Sequence, residues 1–159
     1  MCSSDLDALA LLERSKPDGR SDLNAALHEA RTLCSRRGVV ILLSDLFAPD
    51  AAADRVLANT LADWQAAGHD VLVIHLMDPV ETKLPAHGKY VTRDLESANS
   101  LRTDASTLHE IYEQIVSRWR TERRSAGESS GLDWLSVTTA DSIADPLAAV
   151  LARRALMTR

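Results

Sequence analysis

Apolar residues along the chain fall into two kinds of run. From Asp22 to Arg36, the positions Leu23, Ala26, Leu27, Ala30, Leu33 and Cys34 recur at helical spacing, with Ser21 as the N-cap and Gly38 as the stop. Val39 to Leu43 follows, apolar at every position, and runs straight into Ser44 and Asp45. An aliphatic run without polar alternation predicts a strand buried on both faces of a parallel sheet. The helical stripe returns from Ala51 to Ala67, with Val56, Leu57, Leu61 and Trp64 inward and Gly68 as its C-terminal stop. Val71 to Met77 is a second strand of the same kind, ending on Asp78.

Between Asp78 and Asp104 the pattern turns short and polar. Residues 89–104 read as a small hairpin insertion, with Asn99 at a left-handed turn position. Leu108, Ile111, Tyr112, Ile115, Val116 and Trp119 then form a helical stripe that starts at Asp104 and ends within residues 125–131. Residues 132–139 read as a third strand. Asp145 and Pro146 read as a cap and a first-turn proline, with Leu147, Val150 and Leu151 as the face of the last helix. Helix, strand, helix, strand, hairpin, helix, strand, helix predicts an α/β fold, a three-layer parallel sheet flanked by helices of the Rossmann-like type. Strands 39–44, 71–77 and 134–138 should be mutually parallel, each joined to the next through a helix.

Composition narrows the function. At 159 residues and 45% hydrophobic content the chain suits one domain. No apolar run approaches the roughly 20 residues of a membrane helix, so no membrane segment and a cytoplasmic location are expected. Cys2 and Cys34 form no Cys-x-x-Cys pair, which fits a reducing compartment. The net charge is −5. Arg118, Arg120, Arg123, Arg124, Arg153 and Arg154 fall near expected helix ends, where the dipole favours cations, so a nucleic-acid partner is not expected.

The candidate chemistry is carried by oxygen ligands. Ligands of open α/β sheets bind beyond the carboxyl ends of the strands, which is where Asp45 and Asp78 fall. Nucleotide loops and a Gly-x-Ser-x-Gly elbow are absent from the sequence. The five histidines lack metal spacing, and His75 reads as a core residue with satisfied nitrogens. Ser21 at a helix start and Asp45 at a strand end would offer a hydroxyl and a carboxylate to one edge, hard donors suited to Mg²⁺. Two readings stay open: a binding module, or a small Rossmann-like metal-dependent hydrolase using Asp45 or Asp78. Taken alone, Asp45 is also an ordinary turn or capping residue.

Residues 19–27 (GRSDLNAAL), the Ser44-Asp45-Leu46 strand end, and residues 68–97 resemble the domain-of-unknown-function 58 (DUF58) family, which is similar to von Willebrand factor A domains. Gly68-His69-Asp70-Val71, Asp78-Pro79 with Glu81, Leu84-Pro85, Gly88, and Asp94 with Glu96 occur in the family's order. The resemblance implies a metal-ion-dependent adhesion site, where a carboxylate from a protein partner completes a divalent cation's shell. It implies a non-enzymatic interaction module, with Ser21 in the place of the second-loop threonine and Asp45 as the aspartate after the next strand. The family often accompanies AAA+ ATPases of the MoxR type and often carries membrane helices upstream.

The family's first loop, Asp-x-Ser-x-Ser, has no counterpart before Ser21. Residues 7–159 are therefore expected to be a partial von Willebrand A-like domain lacking its amino-terminal strands. Residues 1–6 resemble a translated sequencing-adapter end and read as a non-native leader. The metal site would be partial, with Mg²⁺ held in the longer protein and weakly or not at all here. Loss of the first strand would leave residues 39–44 as an edge that self-associates, and Leu42→Lys is the substitution expected to relieve it.

Overall fold

The computed structural model describes residues 10–11, 13–16, 22–34, 36–47, 50–93 and 99–157. Helix α1 (Leu23–Leu33) starts on Asp22, whose carboxylate accepts the Ala25 N–H at 2.9 Å. The cap is thus Asp22 rather than Ser21, which lies outside the described residues, as do Asp94 and Glu96. Cys34 closes α1 short of Arg36, leaving Arg37 and Gly38 to lead into β1 (Val39–Ser44). Then come α2 (Ala51–Ala66), β2 (Asp70–Met77), the single turn α3 (Pro79–Thr82), strands β3 (Lys89–Arg93) and β4 (Ser100–Asp104), α4 (Ala105–Ser129), β5 (Asp133–Thr138) and α5 (Ala144–Met157).

The expected parallel sheet is present. Its order is β1-β2-β5, with Val39 aligned on Asp70 and Leu72 on Asp133, while β3 and β4 pair antiparallel as a separate hairpin. On one face of the sheet, Leu42, Val71, Val73 and Trp134 pack under Leu27 of α1 and Leu57, Leu61 and Trp64 of α2. On the other, Leu72, Ile74 and Val137 pack against Leu147 and Val150 of α5. Each such side chain contributes about 1.5–3 kcal/mol by leaving water. Gly127 lets α4 lie close on β5, since a Cβ there would sit 2.6 Å from Cε3 of Trp134.

Several expected core positions are exposed. Leu108, Ile111 and Ile115 lie on the outer side of α4, and Val56 and Leu151 also face solvent. Length explains α4: its 25 residues span about 37 Å, against about 27 Å for the eight residues of β2, so one end overhangs the sheet. Tyr112 anchors that end by donating its hydroxyl to the Glu81 carbonyl at 2.7 Å.

β1 departs from the expectation of burial on both faces. Val39, Ile41 and Leu43 are 61%, 52% and 59% exposed; among the described side chains of α5, Leu147 and Val150 pack on residues of β2 and β5. Leu42, by contrast, is in the core, so Leu42→Lys would bury a charge rather than relieve an edge. α5 begins at Ala144, so Pro146 lies in its first turn as expected, while Asp145 sits inside the helix instead of capping it. Arg118 to Arg124 lie in the body of α4, not at its end. Arg123 pairs with Asp54, Arg124 with Glu128, and Arg153 and Arg154 with Asp133. No helix among the described residues is long and apolar enough to cross a membrane.

Candidate functional site at the carboxyl ends of the strands

The parallel strands bring Asp45, Asp78 and Thr139 to one rim of the sheet. As β1 ends, two side chains turn back on the backbone. Ser44 Oγ accepts the Leu46 N–H at 3.0 Å, and Asp45 Oδ1 accepts the Phe47 N–H at 3.0 Å. Ser, Asp and a following turn favour each other in this way because their short side chains reach the next N–H groups. Leu46, between the two turns, takes a left-handed φ of 56°, and its side chain is 1% exposed in the core. Asp45 stays exposed, the Ser44 hydroxyl lies 3.5 Å from its Oδ1, and among the described residues its Oδ2 accepts no hydrogen bond.

Asp78 is committed to structure. Its Oδ1 accepts the Val80 N–H at 2.9 Å, its own N–H donates to Glu81 at 2.8 Å, and its Oδ2 accepts the Thr139 hydroxyl at 3.1 Å. These bonds cap α3 and tie the end of β2 to the end of β5, each oxygen accepting one hydrogen bond. At the same rim the Thr138 N–H and hydroxyl hold the Asp141 carboxyl below its usual range.

Behind Asp45 lies His75, fully buried. Its Nε2 is 3.1 Å from the Asp45 carbonyl oxygen. A carbonyl only accepts, so the neutral ring places its proton on Nε2, and Nδ1 has no partner among the described residues. Only one of the two nitrogens is satisfied, unlike the expectation from sequence. Desolvation, and then the Arg120 charge, lower the imidazole to about 4, while the bond to Asp45 opposes them. Trp119 and Trp134 meet the ring edge-on at 5.3 and 5.9 Å, and Arg123 lies 4.5 Å over Trp119. Beside them, Leu46, Leu57, Leu61, Trp119, Arg123 and Trp134 line a cavity of about 260 Å³.

A divalent cation at Asp45 would find one carboxylate and the Ser44 hydroxyl. Among the described residues no group of three or more His, Cys, Asp or Glu could hold a metal. Mg²⁺ requires a near-octahedral set of oxygens and gives up water reluctantly, so these residues alone do not fit a tight site. The sequence pointed to Asp45 and did not foresee that Ser44 shares its turn or that His75 holds its carbonyl. The adjacent Ser-Asp before a helix was the visible sign of the turn; the histidine, 30 residues away, left none.

The chain has relatives among mycobacterial proteins. It is 28% identical over 157 residues to an uncharacterised protein of Mycobacterium avium, covering 94% of this chain and 86% of that protein. It is 27% identical over 154 residues to uncharacterised proteins of Mycobacterium bovis and Mycobacterium tuberculosis, covering 94% of this chain and spanning 46% of their length. No solved structure matches the chain significantly. With a family profile matching residues 4–124, together with the parallel sheet and the rim just described, the chain belongs to the DUF58 family, described as proteins of unknown function.

Proposed function

We propose that this chain is a non-enzymatic protein-interaction module whose contact point is the Asp45 rim. One observation carries the reading: a turn fixes Asp45 by its Oδ1 while the carboxylate remains exposed. A carboxylate held in this way suits a shared ligand position, in which a cation bridges it to a carboxylate of the partner. Ser21 and Asp45 are the proposed protein ligands from this chain, a partial metal-ion-dependent adhesion site. Mg²⁺ binds in a longer protein and weakly or not at all here. The partner the family suggests is an AAA+ ATPase of the MoxR type, and the proposed location is cytoplasmic. The competing hydrolase would use Asp45, or an Asp78 whose oxygens already accept the Val80 N–H and the Thr139 hydroxyl.

The test is binding of a MoxR-type ATPase from the same genome, measured in Mg²⁺ and in EDTA, to the chain and to Asp45→Asn. Asparagine keeps the bond to the Phe47 N–H and removes the charge. Binding that Mg²⁺ strengthens and Asp45→Asn weakens is the expected result. Divalent-dependent turnover of ester or phosphoester substrates that Asp45→Asn abolishes would overturn the reading in favour of a hydrolase.

A further inference from the structure

Ser117, Arg120, Thr121 and Arg124 recur at three and four residues along α4, so they share one face of the helix. On β5, Trp134 packs against Gly127 of α4, and Ser136, two residues on, turns to the same side of the sheet. Between helix and strand lies a cavity of about 180 Å³, lined by these four residues of α4 and by Ser136. It shares no lining residue with the apolar cavity beside His75.

The donors around this cavity are not consumed by the fold. Arg120 makes no ion pair among the described residues, and its Nε is buried without a hydrogen-bond partner. A buried guanidinium N–H that bonds to nothing calls for an acceptor. Ser136 Oγ accepts the indole N–H of Trp134 at 3.0 Å, so its own proton points elsewhere, and among the described residues it has no acceptor. Arg124 gives its Nε to Glu128 at 2.9 Å and keeps its terminal nitrogens. The nearby carboxylate of Asp141 is engaged: its Oδ2 accepts the Thr138 N–H and hydroxyl at 2.7 and 2.9 Å.

We infer that this cavity binds a phosphate group, held by the guanidinium of Arg120 with the hydroxyls of Ser117 and Ser136 and the charge of Arg124. A guanidinium presents its N–H groups as a fork that matches two oxygens of a phosphate or a carboxylate. The remaining donors come from a different element, the strand, and a phosphate has further oxygens to meet them where a carboxylate has none. The chain as a whole carries a net charge of −5, so a general attraction for anions does not account for binding here.

The experiment is titration calorimetry of the 159-residue chain in EDTA at low salt, with inorganic phosphate, O-phosphoserine and acetate as probes. At least one of the two phosphates is expected to bind with a dissociation constant below about 1 mM, and acetate about tenfold more weakly. The tighter of the two assigns the source, the free ion or a phosphoryl group carried by a larger ligand. Arg120→Gln should weaken phosphate by about tenfold or more, and Arg120→Lys should recover little of it, because the fork is lost while the charge stays. Ser117→Glu, at an exposed position, places a carboxylate three residues before Arg120 and should abolish binding while the circular dichroism spectrum stays unchanged. Arg118→Gln makes the same charge change outside the cavity and should leave the affinity as it is. No saturable phosphate binding, acetate bound as tightly as phosphate, or equal losses in Arg118→Gln and Arg120→Gln would overturn the inference. Asp45→Asn should bind phosphate as wild type does, so failure of the metal-dependent partner contact and failure of this site are read separately.

Discussion

His75 Nε2 lies 3.1 Å from the carbonyl oxygen of Asp45, joining the middle of the core to the exposed turn that carries the candidate site. The contact is possible because β1 and β2 are aligned with Ser44 opposite His75, so the histidine sits beside the residue where β1 ends. Burial that holds the ring neutral also holds the turn.

This contact gives the fold an acid sensitivity. His75 is lowered to about 4 in the folded chain from 6.5, so the unfolded chain takes up a proton that the folded one refuses. Stability attributable to the neutral ring is complete above pH 6.5 and is lost as pH falls from there toward 4. The full loss is about 3 kcal/mol. Denaturant unfolding between pH 7 and 4 should show this slope in wild type, and His75→Phe should flatten it. An NMR titration placing the imidazole at 6 or above would contradict it.

Leu46 should invert the usual ranking of glycine and alanine. Its φ of 56° is costly for any residue with a Cβ, and its side chain fills the core. Leu46→Ala loses the packing and keeps the strain, at about 2–5 kcal/mol. Leu46→Gly loses the same packing and releases about 1 kcal/mol of backbone strain. Chemical denaturation should therefore find the glycine variant the more stable of the two.

Gly127→Ala should destabilise the chain although alanine favours helices. The new methyl would meet the Trp134 ring at 2.6 and 2.9 Å, and the indole is packed in the core. Overpacking costs about 1–3 kcal/mol, more than the roughly 1 kcal/mol of helix propensity gained. In a Trp134→Phe background, where those ring atoms are gone, the same substitution should cost less. Equal costs in both backgrounds would show that the contact is not what requires glycine.

Metal affinity should be low. Titration calorimetry of this chain with Mg²⁺ is expected to give no heat or a dissociation constant weaker than about 1 mM, because among the described residues the turn at Asp45 offers a cation one carboxylate and the Ser44 hydroxyl. Tight binding that Asp45→Asn removes would mean that residues beyond the described ones complete the shell.

The sequence by itself determined the order of elements and the parallel sheet. Apolar runs such as Val71 to Met77 and stripes such as Leu57, Leu61 and Trp64 encode burial through local periodicity, and caps such as Asp104 and Asp78 encode helix starts through contacts a few residues away. Asp45 was legible for the same reason, as a carboxylate following a buried strand. Only the tertiary structure decided which apolar residues have something to pack against. Val39, Ile41 and Leu43 look the same in sequence as Val71 and Val73, yet they are exposed, while Leu147 and Val150 of α5 pack on residues of β2 and β5. Leu108, Ile111 and Ile115 carry a clear helical period on a helix longer than the sheet it crosses. The tie between His75 and Asp45, and the bond between Asp78 and Thr139, likewise depend on strand alignment across 30 and 61 residues, distances over which periodicity carries no information.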